Sequence, residues 1–286
     1  MTNHEEFYWQ SKPGQKIFAQ AWVPAQVQGV VALVHGLGEH SGRYAHVARR
    51  FNEAGLAVFA LDLPGHGLTE GKRGVGSFEA CFNEVDHLLG EARQRFPNQP
   101  IFLYGHSMGA AITLKYILAR KPKISGAIIT SPPLAAVSVS PVKYNLARIL
   151  SRITPDLTMA NGLNVQHISR DAQVVSAYQA DPLVHPQIST RLGWDLLSVG
   201  DWIREHAGDL TLPLLLVHGS SDLICNSSGS QDFAGRAPAS LVTLKLWDGL
   251  YHETHNDPEK DEVLAYSLAW IIQHRSPEDG ILASAS

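Results

Sequence analysis

The chain has few cysteines and no long apolar segment, and both shortages limit what it can be. Its two cysteines, Cys81 and Cys225, are too few for a disulfide framework or a cysteine-rich zinc site, which favours a reducing compartment. The first residues lack the basic and apolar regions of a secretory signal peptide. No apolar stretch approaches the roughly 20 residues that span a bilayer. We therefore expect a cytoplasmic protein.

An excess of positive charge is also missing. The 23 Lys and Arg residues against 27 Asp and Glu give a formal net charge of −4, which argues against nucleic acid as the main partner. Common cofactor motifs fail on spacing. His252 and His255 are three residues apart where a zinc helix needs four, and Gly36-Leu-Gly38 lacks the third glycine of a dinucleotide fingerprint. We predict no metal and no organic cofactor.

The chain does contain a series of apolar runs separated by helical patterns. Most of the runs are continuous, as in strands buried on both faces of a parallel sheet. Strands alternating with helices predict an α/β fold with a doubly wound, mostly parallel sheet. The predicted strands are Lys16–Val23, Val30–Val34, Leu56–Leu61, Ile101–Tyr104, Ala127–Ile129, Leu214–Val217 and Leu241–Leu246. The predicted helices are Tyr44–Ala54, Phe78–Phe96, a segment ending before Pro122, and Glu259–Arg275, which Asp257 caps and Pro258 starts.

One long segment interrupts this alternation. Between Ile129 and Leu214, about 80 residues carry no convincing sheet strand, far more than a simple crossover needs. We predict a helical cap inserted above the carboxyl ends of the strands, where ligands bind in such sheets. The predicted boundaries are 1–131 and 212–275 for the core, 132–211 for the cap, and 276–286 for a disordered tail.

The cap sequence allows two interpretations. Apolar residues spaced for one helix face lie among basic ones, and residues 133–170 carry a local charge of +3. An interfacial helix on an anionic lipid surface has this pattern. A cap helix that packs its apolar face on the core would have it too. The apolar residues are Val142, Leu146, Ile149, Leu150 and Ile153, and the basic ones are Lys143, Arg148, Arg152 and Arg170 against Asp156.

The strand at Ile101–Tyr104 leads directly into Gly105-His-Ser107-Met-Gly109, after which a helix begins. This is the G-x-S-x-G nucleophile elbow in its strand–turn–helix context. The turn exposes the Ser107 hydroxyl to a histidine base, and the small glycines allow the neighbouring backbone to pack closely. The helix N-terminus favours negative charge that develops beside it. Ser107 is therefore the predicted nucleophile.

Ser107 needs a base and an acid, which follow it in the order acid, histidine in this fold. Asp222 follows the predicted strand at Leu214–Val217, and His252 follows the last predicted strand. We predict that His252 is the general base and that Asp222 orients it. Asp248 is an alternative acid, although it lies only four residues before His252.

An oxyanion hole in this fold combines two backbone N–H groups. The first would come from Met108, next to the nucleophile. The second would come from Leu37, on the glycine-rich loop after an earlier strand. Alternatively, Gly36 and Gly38 merely permit a tight turn there.

Several motifs together resemble those of monoacylglycerol lipases, over about residues 7–275 and including the cap. The resemblance implies an α/β-hydrolase fold with an eight-stranded sheet, and cleavage of a fatty acyl ester in an apolar tunnel. Lysophospholipases and general esterases have nearly the same motifs. Ala110 and Leu37 depart from the usual family residues. The motifs are the loop His35–Tyr44, the elbow, Asp181-Pro-Leu183, the acid loop His218–Cys225, and Tyr251-His252 with His255 behind it.

The same resemblance implies roles for further residues. Glu39, Arg43 and His255 would lie near the glycerol leaving group, or alternatively would be polar residues of the surface that include an ion pair. Cys225 would be a thiol sensitive to modification, or alternatively an inert small residue. Cys81 is expected to be inert.

These observations favour a serine hydrolase that cleaves monoacylglycerols to fatty acid and glycerol through an acyl-enzyme on Ser107. A lysophospholipase or broad carboxylesterase is the enzymatic alternative. A hydrolase-fold ligand receptor is the non-enzymatic one, although it would not need a serine, a histidine and an aspartate together. The expected partner is a small lipid ester, with peripheral membrane contact through the cap.

Overall fold

The computed structural model describes residues 3–12, 14–135 and 140–275. Within these ranges the chain forms ten strands and eight α-helices. The strands are β1 (Asn3–Lys12), β2 (Gln15–Val23), β3 (Gly29–Val34), β4 (Leu56–Leu61), β5 (Ile101–His106), β6 (Gly126–Thr130), β7 (Thr158–Ala160), β8 (Gln187–Ser189), β9 (Leu214–Gly219) and β10 (Val242–Trp247). The α-helices are α1 (Ala45–Glu53), α2 (Phe78–Arg95), α3 (Met108–Arg120), α4 (Pro141–Ile153), α5 (Ala172–Ala180), α6 (Thr190–Glu205), α7 (Ser228–Arg236) and α8 (Lys260–His274).

Eight of the described strands form one sheet in the order β1-β2-β4-β3-β5-β6-β9-β10. Strand β2 is antiparallel to both β1 and β4, and the pairs from β4 to β10 are parallel. The predicted doubly wound, mostly parallel sheet is therefore confirmed. Strand β1 was not among the individually predicted strands, because it lies at an edge and its sequence is too polar to form an apolar run.

Two apolar cores lie on opposite faces of the sheet. Successive residues of a strand point to opposite faces. In β3, Val30 and Ala32 accordingly join the core covered by α2, α3, α6 and α7, whereas Val31 and Leu33 join the core covered by α1 and α8. Burial on both faces explains why these strands are continuous apolar runs.

The predicted helices of the core are present, but the start of α8 differs from expectation. The helix begins at Lys260, and Glu259 occupies the N-cap position without a side-chain bond. The Asp257 carboxylate instead accepts hydrogen bonds from the backbone N–H of Arg170 (2.7 Å) and of Tyr251 (2.8 Å). Asp257 therefore joins two loops, which takes precedence over capping a helix.

The segment between β6 and β9 stands over the carboxyl ends of the sheet strands, and we call residues 132–211 the cap. It holds α4, α5 and α6 and also a short antiparallel pair, β7 with β8, which was not predicted. Backbone bonds join the cap to the core, from His185 N–H to Gly38 O (2.9 Å) and from Ser189 N–H to Gly74 O (2.8 Å). The boundaries at 132 and 211 stay a prediction. The proposed tail at 276–286 lies outside the described residues.

None of the helices in the described ranges combines the length and the apolar character needed to cross a bilayer.

Candidate active site

Ser107 lies at a sharp turn between β5 and α3. Its φ of 53° is in the left-handed region, where side chains other than glycine are uncommon. The surrounding backbone leaves no room for side chains at the flanking glycines. A Cβ on Gly105 would lie 2.7 Å from the carbonyl oxygen of Gly109, and a Cβ on Gly109 would collide with the carbonyl oxygens of Val34 and His35. The close packing expected around the elbow is therefore present.

Three side chains form a continuous hydrogen-bonded row at this turn. His252 Nε2 is 2.9 Å from Ser107 Oγ, and His252 Nδ1 is 2.7 Å from Asp222 Oδ2. All three residues are buried, Ser107 at 9% exposure and His252 at 2%. Asp248 is exposed, and its carboxylate accepts from Ser220 Oγ instead (3.1 Å). The structure therefore brings Asp222, and not Asp248, to His252.

The surroundings of Asp222 favour its charged form. Burial alone would raise the pKa of its carboxyl. The positive charge that His252 can carry, and hydrogen bonds from neighbouring groups, outweigh burial and hold this pKa below its usual range. The donors include the backbone N–H groups of Ile224 (2.8 Å) and Cys225 (2.9 Å), which both reach Oδ1.

Ser107 opens into a cavity of about 960 Å³ between the core and the cap. Leu37 and Met108, the two predicted oxyanion-hole residues, line the cavity together with Ser107. Its wall is mostly apolar, which suits a lipid chain better than a strongly polar ligand. Apolar side chains in the wall include those of Leu146, Leu150, Met159, Ile188, Leu196, Leu197 and Leu223.

The chain is similar to several known proteins. Residues 25–259 match the protein family described as Serine aminopeptidase, S33. The chain is also 38% identical over 265 residues to the monoacylglycerol lipase of Mycolicibacterium smegmatis, a match that covers 91% of this chain and 94% of that protein. The chain belongs to the monoacylglycerol lipase family of α/β-hydrolases.

Two further relatives show the fold and the share of a longer protein to which this chain corresponds. The crystal structure of the monoacylglycerol lipase of Paleococcus ferrophilus is 33% identical, with a TM-score of 0.82, and the alignment covers 96% of this chain and 99% of that one. An uncharacterized abhydrolase domain-containing protein of Dictyostelium discoideum is 38% identical over 257 residues, which are 88% of this chain but only 27% of that protein. The α/β-hydrolase fold is thus confirmed, and this chain corresponds to about a quarter of the Dictyostelium protein.

Glu39, Arg43 and His255, which the family resemblance implies near the leaving group, have contacts within the protein. Within the described part of the chain, the cavity wall does not include any of the three. Arg43 donates to the carboxylate of Glu39 and, at 2.8 and 2.7 Å, to that of Glu253. Glu39 Oε1 also accepts from Gly36 N–H (2.7 Å). The ion pair given as the alternative is therefore present, and it is buried instead of lying on the surface.

His255 lies in a cluster of buried rings. Its ring is 5.0 Å from that of Tyr44 and 4.7 Å from that of His106, measured between centroids. His106 in turn lies 4.9 Å from His252. Burial and the neighbouring His252 lower the pKa of His106 to about 3, so His106 is neutral at physiological pH. His255, whose pKa burial and His106 lower well below the ordinary value, is neutral as well.

The two cysteines have different surroundings. Cys225 is buried but lines the cavity, whereas Cys81 lies on α2 within the apolar core. Burial, assisted by the negative charge of Asp222, raises the pKa of the Cys225 thiol well above its ordinary value. Since the thiolate is the reactive form, the raised pKa keeps the reactive form of Cys225 scarce at neutral pH.

Three contacts of this site were not predicted, and two of them join residues in or beside the motifs. His218 Nε2 is 3.1 Å from Asp222 Oδ2, and the spacing of four residues between them was visible in the acid loop. Ser131, with a φ of 49°, donates through Oγ to His252 O (2.6 Å). Glu253, next to His252, had no sequence signal for its pairing with Arg43.

Proposed function

We propose that this chain hydrolyses the ester bond of monoacylglycerols through an acyl-enzyme on Ser107. The observation that carries the proposal is the hydrogen-bonded row Ser107–His252–Asp222 at the wall of a large apolar cavity. Kinship with monoacylglycerol lipases supports this substrate class. A receptor with no turnover would not need these three groups in bonding contact.

Each residue has a defined part in the proposed reaction. Ser107 Oγ attacks the ester carbonyl carbon while His252 Nε2 takes the hydroxyl proton. The tetrahedral oxyanion accepts hydrogen bonds from the backbone N–H groups of Leu37 and Met108. His252 then gives the proton to the leaving glycerol oxygen, and a water activated by His252 releases the fatty acid. Asp222 stabilises the imidazolium that forms in both halves of the reaction.

In our proposal, Glu39 and Arg43 stabilise the loops of this site without lining the cavity. Glu39 fixes the peptide of Gly36, next to Leu37, and Arg43 connects Glu39 to the loop of His252 through Glu253. Since their polar groups already bond within the protein, they position the two loops instead of binding glycerol.

We further propose that the cap contacts a lipid surface through α4. Val142, Leu146, Ile149 and Ile153 follow one face of the helix, and each is at least 51% exposed. This exposure does not agree with the alternative in which that face packs on the core. The exposed basic residues beside it, Lys143, Arg148 and Arg152, suit an anionic surface.

Hydrolysis measured with the wild type and with Ser107→Ala tests the proposed function. We expect Ser107→Ala to lose three to six orders of magnitude in rate, roughly the loss when one member of a triad is removed. A fluorophosphonate probe should label the wild type only. Monoacylglycerol should be turned over faster than lysophosphatidylcholine of equal chain length, and the reverse order would favour the lysophospholipase alternative.

A further inference from the structure

His218 is a second imidazole on the carboxylate of Asp222. It lies near the end of β9, is fully buried, and faces α7. His218 Nε2 is 3.1 Å from Asp222 Oδ2, the same oxygen that lies 2.7 Å from His252 Nδ1. Two histidines therefore share one carboxylate oxygen.

The partners of His218 decide which of its nitrogens carries a proton. Besides Asp222 Oδ2, the Nε2 atom is 2.8 Å from the carbonyl oxygen of Cys225. A carbonyl and an ionised carboxylate can only accept, so Nε2 must be the donor. Nδ1 is 2.7 Å from the hydroxyl of Ser230, which lies on α7 and can donate to it. Ser230 thus holds the Nδ1 side of the ring, while the N–H of Nε2 is shared between Cys225 O and Asp222 Oδ2.

With His218 in place, the Asp222 carboxylate has a partner for each of its bonding directions. Oδ1 meets two backbone N–H groups, from Ile224 and Cys225, and Oδ2 meets two imidazoles. A carboxylate offers about four acceptor sites, so it cannot rotate without breaking a bond. Without His218, Oδ2 would be held only by the imidazole that it is meant to orient.

We propose that His218 is a positioning residue for the reaction, which holds Asp222 Oδ2 on His252 Nδ1 and is itself held by Ser230. The proposal rests on the proposed function of Ser107 and His252. It adds a fourth and a fifth side chain to the row, which then runs from Ser230 on α7 to Ser107 on the elbow. Hydrogen bonds to a charged group are stronger than those between neutral groups, so this contact should matter to the rate.

Two substitutions at His218 separate donation from packing. His218→Gln keeps an N–H near the position of Nε2, whereas His218→Leu removes it at similar volume. We expect His218→Leu to lower kcat by roughly tenfold, the effect of one hydrogen bond to a charged group, with KM unchanged. His218→Gln should restore most of kcat. The labelling rate of Ser107 by a fluorophosphonate should follow kcat, because it reports activation of the nucleophile by His252.

Ser230→Ala gives a second measurement that does not depend on the folding of a His218 variant. We expect it to slow labelling of Ser107 by a few-fold, since the ring of His218 loses the hydroxyl that holds its Nδ1 side. Ser267→Ala is the matched control, because Ser267 is equally buried but donates to Val263 O within α8. The control should label at the wild-type rate.

The outcomes separate this proposal from the proposed function. Absence of wild-type labelling, or labelling that survives Ser107→Ala, would contradict the proposed function itself. With Ser107 labelled as expected, equal losses in His218→Leu and His218→Gln would show that His218 only packs. Wild-type kcat and labelling in His218→Leu, or in Ser230→Ala if His218→Leu does not fold, would also overturn the positioning role.

Discussion

Arg43 donates two hydrogen bonds to the carboxylate of Glu253, at 2.8 and 2.7 Å, although 210 residues separate them in the chain. Arg43 also bonds Glu39, and the ring of Tyr178 on α5 lies 4.5 Å from its guanidinium carbon. One cation therefore joins the loop of Leu37, the loop after His252, and the cap. Because all of these groups are largely buried, losing one carboxylate should disturb the other elements too.

Glu39→Gln should lower kcat/KM for monoacylglycerol and for a p-nitrophenyl ester of equal chain length by the same factor. Glu39 bonds the loop of Leu37, the proposed oxyanion-hole donor, and is not among the described residues that line the cavity, so we expect both substrates to depend on it equally. We expect a loss of roughly tenfold. Steady-state kinetics on the two esters measures it, and Glu53→Gln, which changes an exposed carboxylate on α1, is the control. A loss of kcat/KM confined to monoacylglycerol would indicate that Glu39 binds the glycerol group.

The grouping of Ser107, Asp222 and His252 could be predicted because each follows a strand of the sheet in a fixed order along the chain. Apolar runs reveal such strands, and the carboxyl ends of parallel strands meet at one edge of the sheet. The surroundings of Glu39 could not be predicted in this way. Loop spacing does not tell which side of a loop faces the cavity, and the main partner of Arg43 is distant in sequence.

The same limit applies to the edges of the fold. Strand β1 is held by backbone pairing with β2 and by a few side chains, so its polar sequence carries no apolar run. Asp257 has the sequence pattern of a helix N-cap residue. Its carboxylate instead accepts hydrogen bonds from Ser169 and Arg170, which belong to the inserted segment 132–211. Tertiary contacts determine both the pairing of β1 and the partners of Asp257, and a local sequence pattern does not encode such contacts.

Buried neutral histidines predict a loss of stability in acid. The pKa of His106 falls to about 3 in the folded chain, whereas an unfolded histidine titrates near 6.5. Between these pH values the unfolded chain binds more protons than the folded chain. The contribution of His106 to the free energy of unfolding is therefore fully present above about pH 6.5 and decreases as the pH falls towards 3. One such group contributes a slope of about 1.4 kcal/mol per pH unit in this window.

Denaturant unfolding at several pH values between 7.5 and 4 measures this slope. His106→Asn keeps a polar group near Thr130. It should reduce the slope of the free energy of unfolding against pH by the contribution of one protonated group. His87→Asn is the control, because His87 is exposed on α2. An equal slope in wild type and His106→Asn would mean that His106 does not contribute to the acid sensitivity.

A bulky maleimide should inhibit the enzyme slowly through Cys225, and faster as pH rises. The raised pKa of this thiol keeps the reactive thiolate scarce, while the thiol itself lines the cavity. Cys225→Ala should stay active and become resistant, because the bond to Asp222 comes from the backbone N–H. Time-dependent loss of ester hydrolysis is the measurement, with Cys81→Ala as the control that remains sensitive. Inhibition that persists in Cys225→Ala would place the reactive group elsewhere.

We expect helix α4 to contribute to the binding of lipid vesicles. Ile149 and Ile153 are exposed and do not contribute to the cavity wall in the described structure, so they can be changed without altering the proposed substrate site. The double variant Ile149→Ser with Ile153→Ser should bind vesicles containing phosphatidylglycerol at least about tenfold more weakly, because it loses two exposed apolar side chains. Its hydrolysis of a water-dispersed short-chain ester should equal that of the wild type.

Vesicle sedimentation with matched variants separates the contributions of apolar surface and charge. Arg148→Gln with Arg152→Gln should weaken binding to anionic vesicles only, and added salt should reduce the difference from wild type, since salt screens exposed charges. Ile272→Ser is the matched apolar control, because Ile272 is 46% exposed on α8, away from the cap. If Ile272→Ser weakened binding as much as the α4 variant, the contact would not be specific to this helix. If the wild type failed to sediment with anionic vesicles, α4 would not be a membrane-contacting helix, and its exposed apolar face would require another partner.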